Sequence, residues 1–106
     1  MHLEMQLLEP WIVPVLPEIL EQELKKELGS KHVLYAKSVR AIAKAEDRDD
    51  VLFEVGENGS VAYALVHLTW TSKPEADPSF PNAHFFATAA DWLDWMRADH
   101  AEYTSR

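Results

Sequence analysis

Asn58-Gly59 constrains this chain more than any other pair of residues. A two-residue hairpin of the favoured hand needs positive φ at both central positions, and Asn followed by Gly accepts that most readily. Centring the turn there pairs Val55 with Ala62, Phe53 with Ala64 and Val51 with Val66 on one face. The other face then pairs Glu54 with Tyr63, Leu52 with Leu65 and Asp50 with His67. A slip of one residue would mix the two sets, so the sorting itself supports the register.

The segment before this hairpin extends it to a three-stranded meander over residues 38–70. A three-residue loop at Asp47–Asp49 pairs Ala45 with Val51, Ala43 with Phe53 and Ala41 with Val55, and Val39 continues the apolar side. Arg40, Ile42 and Lys44 fall on the opposite side. Three alanines and the Val39/Ile42 spacing also fit a helix, but the alternation agrees in phase with the following hairpin and favours a strand.

Helices are expected on both flanks of the meander. Pro17 suits a first helical turn, where its missing N–H has no intrahelical role. Leu16, Leu20, Leu24 and Leu28, widened by Ile19, form an apolar stripe, and Gly29 supplies a left-handed stop, giving a helix over 17–28. Thr88 with Asp91 three residues on is an aspartate capping pair, and Trp92, Leu93, Trp95 and Met96 give the helix over 88–99 its apolar face. Residues 1–16 alternate at Leu3, Met5 and Leu7 but then hold Pro10 and Pro14, so they are read as an extended arm laying Trp11, Ile12 and Val13 on the body. Residues 71–87, with Pro74, Pro78 and Pro81, are read as a packed proline-rich loop that buries Phe80, Phe85 and Phe86. The expected fold is therefore a single α+β domain over 1–106: a two-layer sandwich of three antiparallel strands, or four if the arm joins, against an N-terminal and a C-terminal helix.

The run "HVLYAKSVRAIAKAEDRDDVLFEV", then "YALVHLTW" and "KPEADPSFP", resembles a group of small uncharacterised bacterial proteins sharing a DDVLFE…VHLTW pattern. The resemblance covers roughly residues 32–82 and is most specific at HLTW. Val33 and Ala36 depart from it, standing where the pattern has proline and glycine. It implies a bacterial cytoplasmic setting and carries no activity, cofactor or site residue.

The composition narrows the chemistry. The 106 residues contain no cysteine, which excludes disulfides and thiolate chemistry and suits a reducing compartment. The start lacks the basic and unbroken apolar runs of a signal peptide, and no stretch approaches the length that spans a bilayer, so a cytoplasmic location is expected and membrane association is not. A net charge of −8 argues against nucleic-acid partners. The five histidines lack metal-ligand spacing, and glycines at 29, 56 and 59 make no phosphate loop, so neither a metal nor a cofactor is expected.

What remains is the second sheet face. Arg40, Ile42, Leu52, Glu54, Tyr63, Leu65, His67 and Thr69 would form an apolar patch among charges, a surface suited to docking another protein. The leading expectation is an acidic, non-catalytic protein-binding module with an inhibitory or regulatory role. Homodimerisation through the same face is one alternative. The other is a small hydrolase or ligand-binding enzyme in which Asp50 orients His67 as a general base, Glu54 lies nearby and the proline loop acts as a lid.

Overall fold

In the computed structural model, which describes residues 6–105, Asn58 and Gly59 take φ values of 52° and 79° and close the hairpin as their chemistry requires. Strand β3 (Asp50–Glu57) and strand β4 (Ser60–His67) pair antiparallel from Glu57↔Ser60 to Asp50↔His67, with Phe53 opposite Ala64 throughout the expected register. The alternation at Leu3 and Met5 lies outside the described residues.

Strand β2 (Ser38–Ala45) joins β3, but its register corrects the expectation. Val39 faces Val55, and Ala41 faces Phe53. The ladder then shifts, so Ala43 faces Leu52 and Lys44 faces Val51. An extra residue at this bulge turns the following side chains to the other face. Ala41 therefore stays with Val51, Phe53 and Val55, whereas Ala43 and Ala45 join Leu52 and Tyr63 in a second core. The turn after β2 has four residues, 46–49, and Lys44 Nζ braces it by donating to the carbonyls of Ala45 and Arg48 at 2.9 and 3.1 Å.

Two further strands complete a five-stranded antiparallel sheet. The arm supplies β1 (Trp11–Ile12), which pairs with Ala45 and Lys44 and is kept to two residues between Pro10 and Pro14. The proline-rich segment supplies β5 (Ala83–Phe86), paired with Val66 through Tyr63, so strand order follows chain order. Phe86 is buried, but Phe80 and Phe85 remain about half-exposed, contrary to the expected burial.

The helices lie on opposite faces of the sheet, so the expected two layers become three. Helix α1 (Pro17–Glu27) packs Leu20 and Leu24, with the following Leu28 and Leu34, over Ala41, Phe53, Val55, Ala64 and Val66. Leu16 and Ile19 point outward instead. Glu21 reaches the sheet, where its carboxylate accepts the Ala41 N–H at 2.9 Å. Helix α2 (Ala89–Thr104) packs Trp92 and Met96 over Leu52, Leu65, Tyr63 and Phe86, with Trp11 closing one side. Thr88 caps it by accepting the Asp91 N–H at 3.2 Å. It continues five residues past Asp99, where His100 engages the Glu9 carbonyl at 2.6 Å.

Gly29 does not adopt the left-handed stop. A Cβ there would come within 2.7 Å of the Glu75 carbonyl oxygen, so close backbone approach is what requires glycine. The left-handed residue in the turns after α1 is Ala36, at φ 63°. An L-residue with a Cβ is strained there by roughly 1–2 kcal/mol, part of which glycine returns as unfolded-chain entropy. Ala36→Gly is expected to raise stability by about 0.5–1 kcal/mol, read as a melting-temperature increase of about 2–5 °C.

Candidate functional site

The pairing of β3 and β4 sets Asp50 beside His67 at the end of the sheet. His67 Nδ1 lies 2.8 Å from Asp50 Oδ1, the contact expected from the register. Asp50 is itself held, because Arg48 Nε donates to its Oδ2 at 2.6 Å. The guanidinium also donates to Asp47 at 3.0 Å and to Asp99 of α2 at 2.8 Å, and it sits over the Trp11 ring at 5.3 Å. Trp11 Nε1 donates to the same Asp99 oxygen at 2.9 Å. Burial works against the Arg48 cation, but the bonds to Asp99 and Asp50 outweigh it and raise its pKa further. One arginine thereby ties the 46–49 turn, β1, β3 and α2 together.

As a catalytic centre this end is open. His67 is 57% exposed while Asp50 is 19% exposed, and Thr69 Oγ1 is directed to Thr71 and Glu75. The proline loop, expected to act as a lid, is instead tied to α1 at Ser72 and Glu75 and paired with β4 at residues 83–86. Two clefts, of about 340 and 460 Å³, lie elsewhere. The first is lined by Gly29–His32 and the segment Pro74–Pro78, the second by Lys25, Tyr35, Lys37 and neighbours.

The expected docking face is covered. Leu52, Tyr63 and Leu65 are buried beneath α2, and Ile42 packs half-buried against the same core. Burial, then Glu54, pushes the Tyr63 hydroxyl above its ordinary pKa. Arg40 and Glu54 pair at the rim at 3.2 Å, and His67 and Thr69 stay exposed. The eight residues do not make one surface, because α2 needed the same apolar face for its tryptophans.

No protein family, curated protein or solved structure matches the chain. Among the described residues, no group of three or more metal-ligating side chains converges and no helix is long and apolar enough to cross a membrane.

Glu23, Glu27 and His32 are buried titratable groups that periodicity did not single out. Glu23 and Glu27 sit one turn apart on the inner side of α1 and are both buried. Glu27 accepts the N–H groups of Thr69 and Trp70 at 2.9 and 2.8 Å, and Glu23 accepts the N–H and hydroxyl of Ser72 at 3.0 and 2.9 Å. Among the described residues, His32 is the buried histidine. Its Nδ1 accepts the Leu34 N–H at 3.0 Å, which leaves Nε2 to donate to the Pro81 carbonyl at 2.8 Å. The available signal was position: Glu23 and Glu27 fall beside Leu20, Leu24 and Leu28 on the helical wheel.

Proposed function

We propose that this protein is a non-catalytic module that holds another protein through the ledge from Val13 to Ile19. The observation that carries the reading is exposure. Val13, Val15, Leu16 and Ile19 are 69, 88, 54 and 47% exposed within seven consecutive residues. Scattered surface aliphatics are ordinary, but a concentrated set with charged neighbours is the usual composition of a docking surface. Pro14 and Pro17 restrict the backbone beneath it, which lowers the ordering cost of binding.

Charge selects the partner class. Glu18 is exposed within the ledge, and on the chain leading into it Glu9 is exposed and the Glu46 N–H bonds to the Pro10 carbonyl at 2.8 Å. With the chain at −8, a basic protein presenting an apolar patch is favoured over a second copy. The reading places the protein in a bacterial cytoplasm, in an inhibitory or regulatory role, supported by the absence of cysteine and the resemblance of residues 32–82. It leaves His67 and Asp50 as a surface contact that closes the sheet end.

The test compares the full chain with a Val15→Asp/Leu16→Asp variant in extract of the source organism, with a photoreactive group at position 13. The expected result is a basic protein recovered near stoichiometry and cross-linked at the ledge. Its recovery falls at least about tenfold in the variant and also falls in high salt. Both substitutions are at exposed positions, so the variant keeps its circular dichroism spectrum. Equal recovery by both proteins, or no cross-link at the ledge, overturns the reading.

A further inference from the structure

We propose that Glu23 and Glu27 form a proton-operated latch, holding residues 69–73 on α1 when the pair carries one proton and releasing them when that proton is lost or a second is gained. The geometry is that of a clamp. Two buried carboxyl groups one helical turn apart receive four donors from a single loop: the N–H groups of Thr69, Trp70 and Ser72 and the Ser72 hydroxyl. The loop is held in an unfavourable form. Trp70 and Ser72 have φ values of 57° and 58°, a region that residues with a Cβ seldom occupy without being constrained. The four bonds to α1 are that constraint.

The limits of the moving segment are set by contacts that do not titrate. Leu68 N–H donates to the Asp49 carbonyl at 3.0 Å on one side, and Glu75 N–H to the Glu27 carbonyl at 3.0 Å on the other. The close approach of Gly29 to the Glu75 carbonyl fixes the second boundary further. The residues between these anchors are tied to α1 through the two carboxyl groups.

The charged groups around the pair are few. Lys26 of α1 acts on Glu23. From the loop, the Glu75 carboxylate accepts the hydroxyls of Thr69 and Thr71 at 3.0 and 3.4 Å. His32, in the turn after α1, is committed to Leu34 and Pro81. No cation among these is bonded to Glu27, whose partners there are the N–H groups of Thr69 and Trp70, the Thr69 hydroxyl and Glu23.

The two carboxyl groups are driven apart. Burial, and then the hydrogen bond with Glu23, hold the Glu27 pKa above the ordinary value of 4.5, against the opposing pull of the Thr69 and Trp70 N–H groups. That same bond from Glu27, opposed by burial and assisted by Ser72, holds Glu23 below it. Glu27 therefore contributes stability that is full below pH 4.5 and is lost as pH rises through its raised pKa. Glu23 contributes stability that is present above pH 4.5 and is lost as pH falls through its lowered pKa. The latch is closed between the two pKa values and loosens on both sides. Above them two buried carboxylates face each other, and below them a neutral pair offers weaker acceptors.

The test follows backbone amide exchange by NMR on the full ¹⁵N-labelled chain from about pH 3 to about pH 9, corrected for intrinsic rates. Protection of the Thr69, Trp70 and Ser72 amides is expected to peak within the range and fall about tenfold toward each end, while the Phe53 and Ala64 amides stay protected. Glu27→Gln is expected to remove the alkaline loss, and Glu23→Gln the acid loss. Protection independent of pH overturns the proposal. So does loss that coincides with the β3–β4 amides, which would be unfolding of the whole domain.

Discussion

Trp92→Ala is expected to lower stability by about 3–5 kcal/mol, the range for truncating a fully buried aromatic residue. The indole is completely buried, contacts Trp11 edge-on at 4.9 Å and Trp95 stacked at 5.7 Å, and lies over the sheet face that holds Leu52 and Leu65. A loss of this size in a chain of 106 residues moves the melting temperature by well over about 10 °C, measurable by circular dichroism or calorimetry. Trp92→Phe is the informative control. The Trp92 Nε1–H is buried with no hydrogen-bond partner among the described residues, so phenylalanine removes an unsatisfied donor along with some volume. Its cost should stay within about 1.5 kcal/mol. Were the alanine variant to melt like the parent, α2 would not be the cover of this face.

Arg48→Met is the second large effect, at about 2–3 kcal/mol. Methionine keeps much of the aliphatic stem but leaves Asp50 and Asp99, whose side chains are only 19 and 17% exposed, without their cation. Removing one partner of a well-buried pair costs more, and the 24% exposure of Arg48 itself justifies the lower figure. Because the guanidinium joins the 46–49 turn to α2, the change should also speed amide exchange in both segments before the β3–β4 hairpin is affected. Denaturant unfolding with site-resolved exchange reads both. A uniform increase in exchange would show that Arg48 acts on the whole domain.

The hairpin was legible because Asn-Gly sets the turn and alternation sets the faces, and neither depends on distant residues. The start of α1 at Pro17 and the cap at Thr88 were legible for the same local reason. The bulge was not. It shifts β2 by one residue without a sequence mark, since alanine fits either face equally well, and this sent Ala43 and Ala45 to the wrong core. The third layer did leave a trace: Val51, Leu52 and Phe53, then Tyr63 through Val66, are buried without interruption, as in strands covered on both sides. The same pairing register is also compatible with strict alternation, so register alone does not reveal the second cover. The docking face failed as a consequence, since its aliphatics belong to α2.

His67 and His32 show why the site was harder to read than the fold. His67 stood out because its cross-strand partner could be named in advance, yet it is the exposed one. His32, in an irregular turn with no periodicity, is buried with both ring nitrogens committed. Long-range polar contacts such as Glu27 with Trp70 join residues 43 positions apart, and no local pattern encodes them.

The borders of the sheet have a consequence of their own. On one side β1 spans two residues between prolines, and beside it the Ala41 N–H is already occupied by Glu21. On the other side β5 offers four residues after Pro81. Neither margin presents a long, straight row of free amides on which further chains could stack. Fibril growth from the native fold thus has little template, and a concentrated solution should stay clear without the crowded lysines that many β-proteins place along such margins.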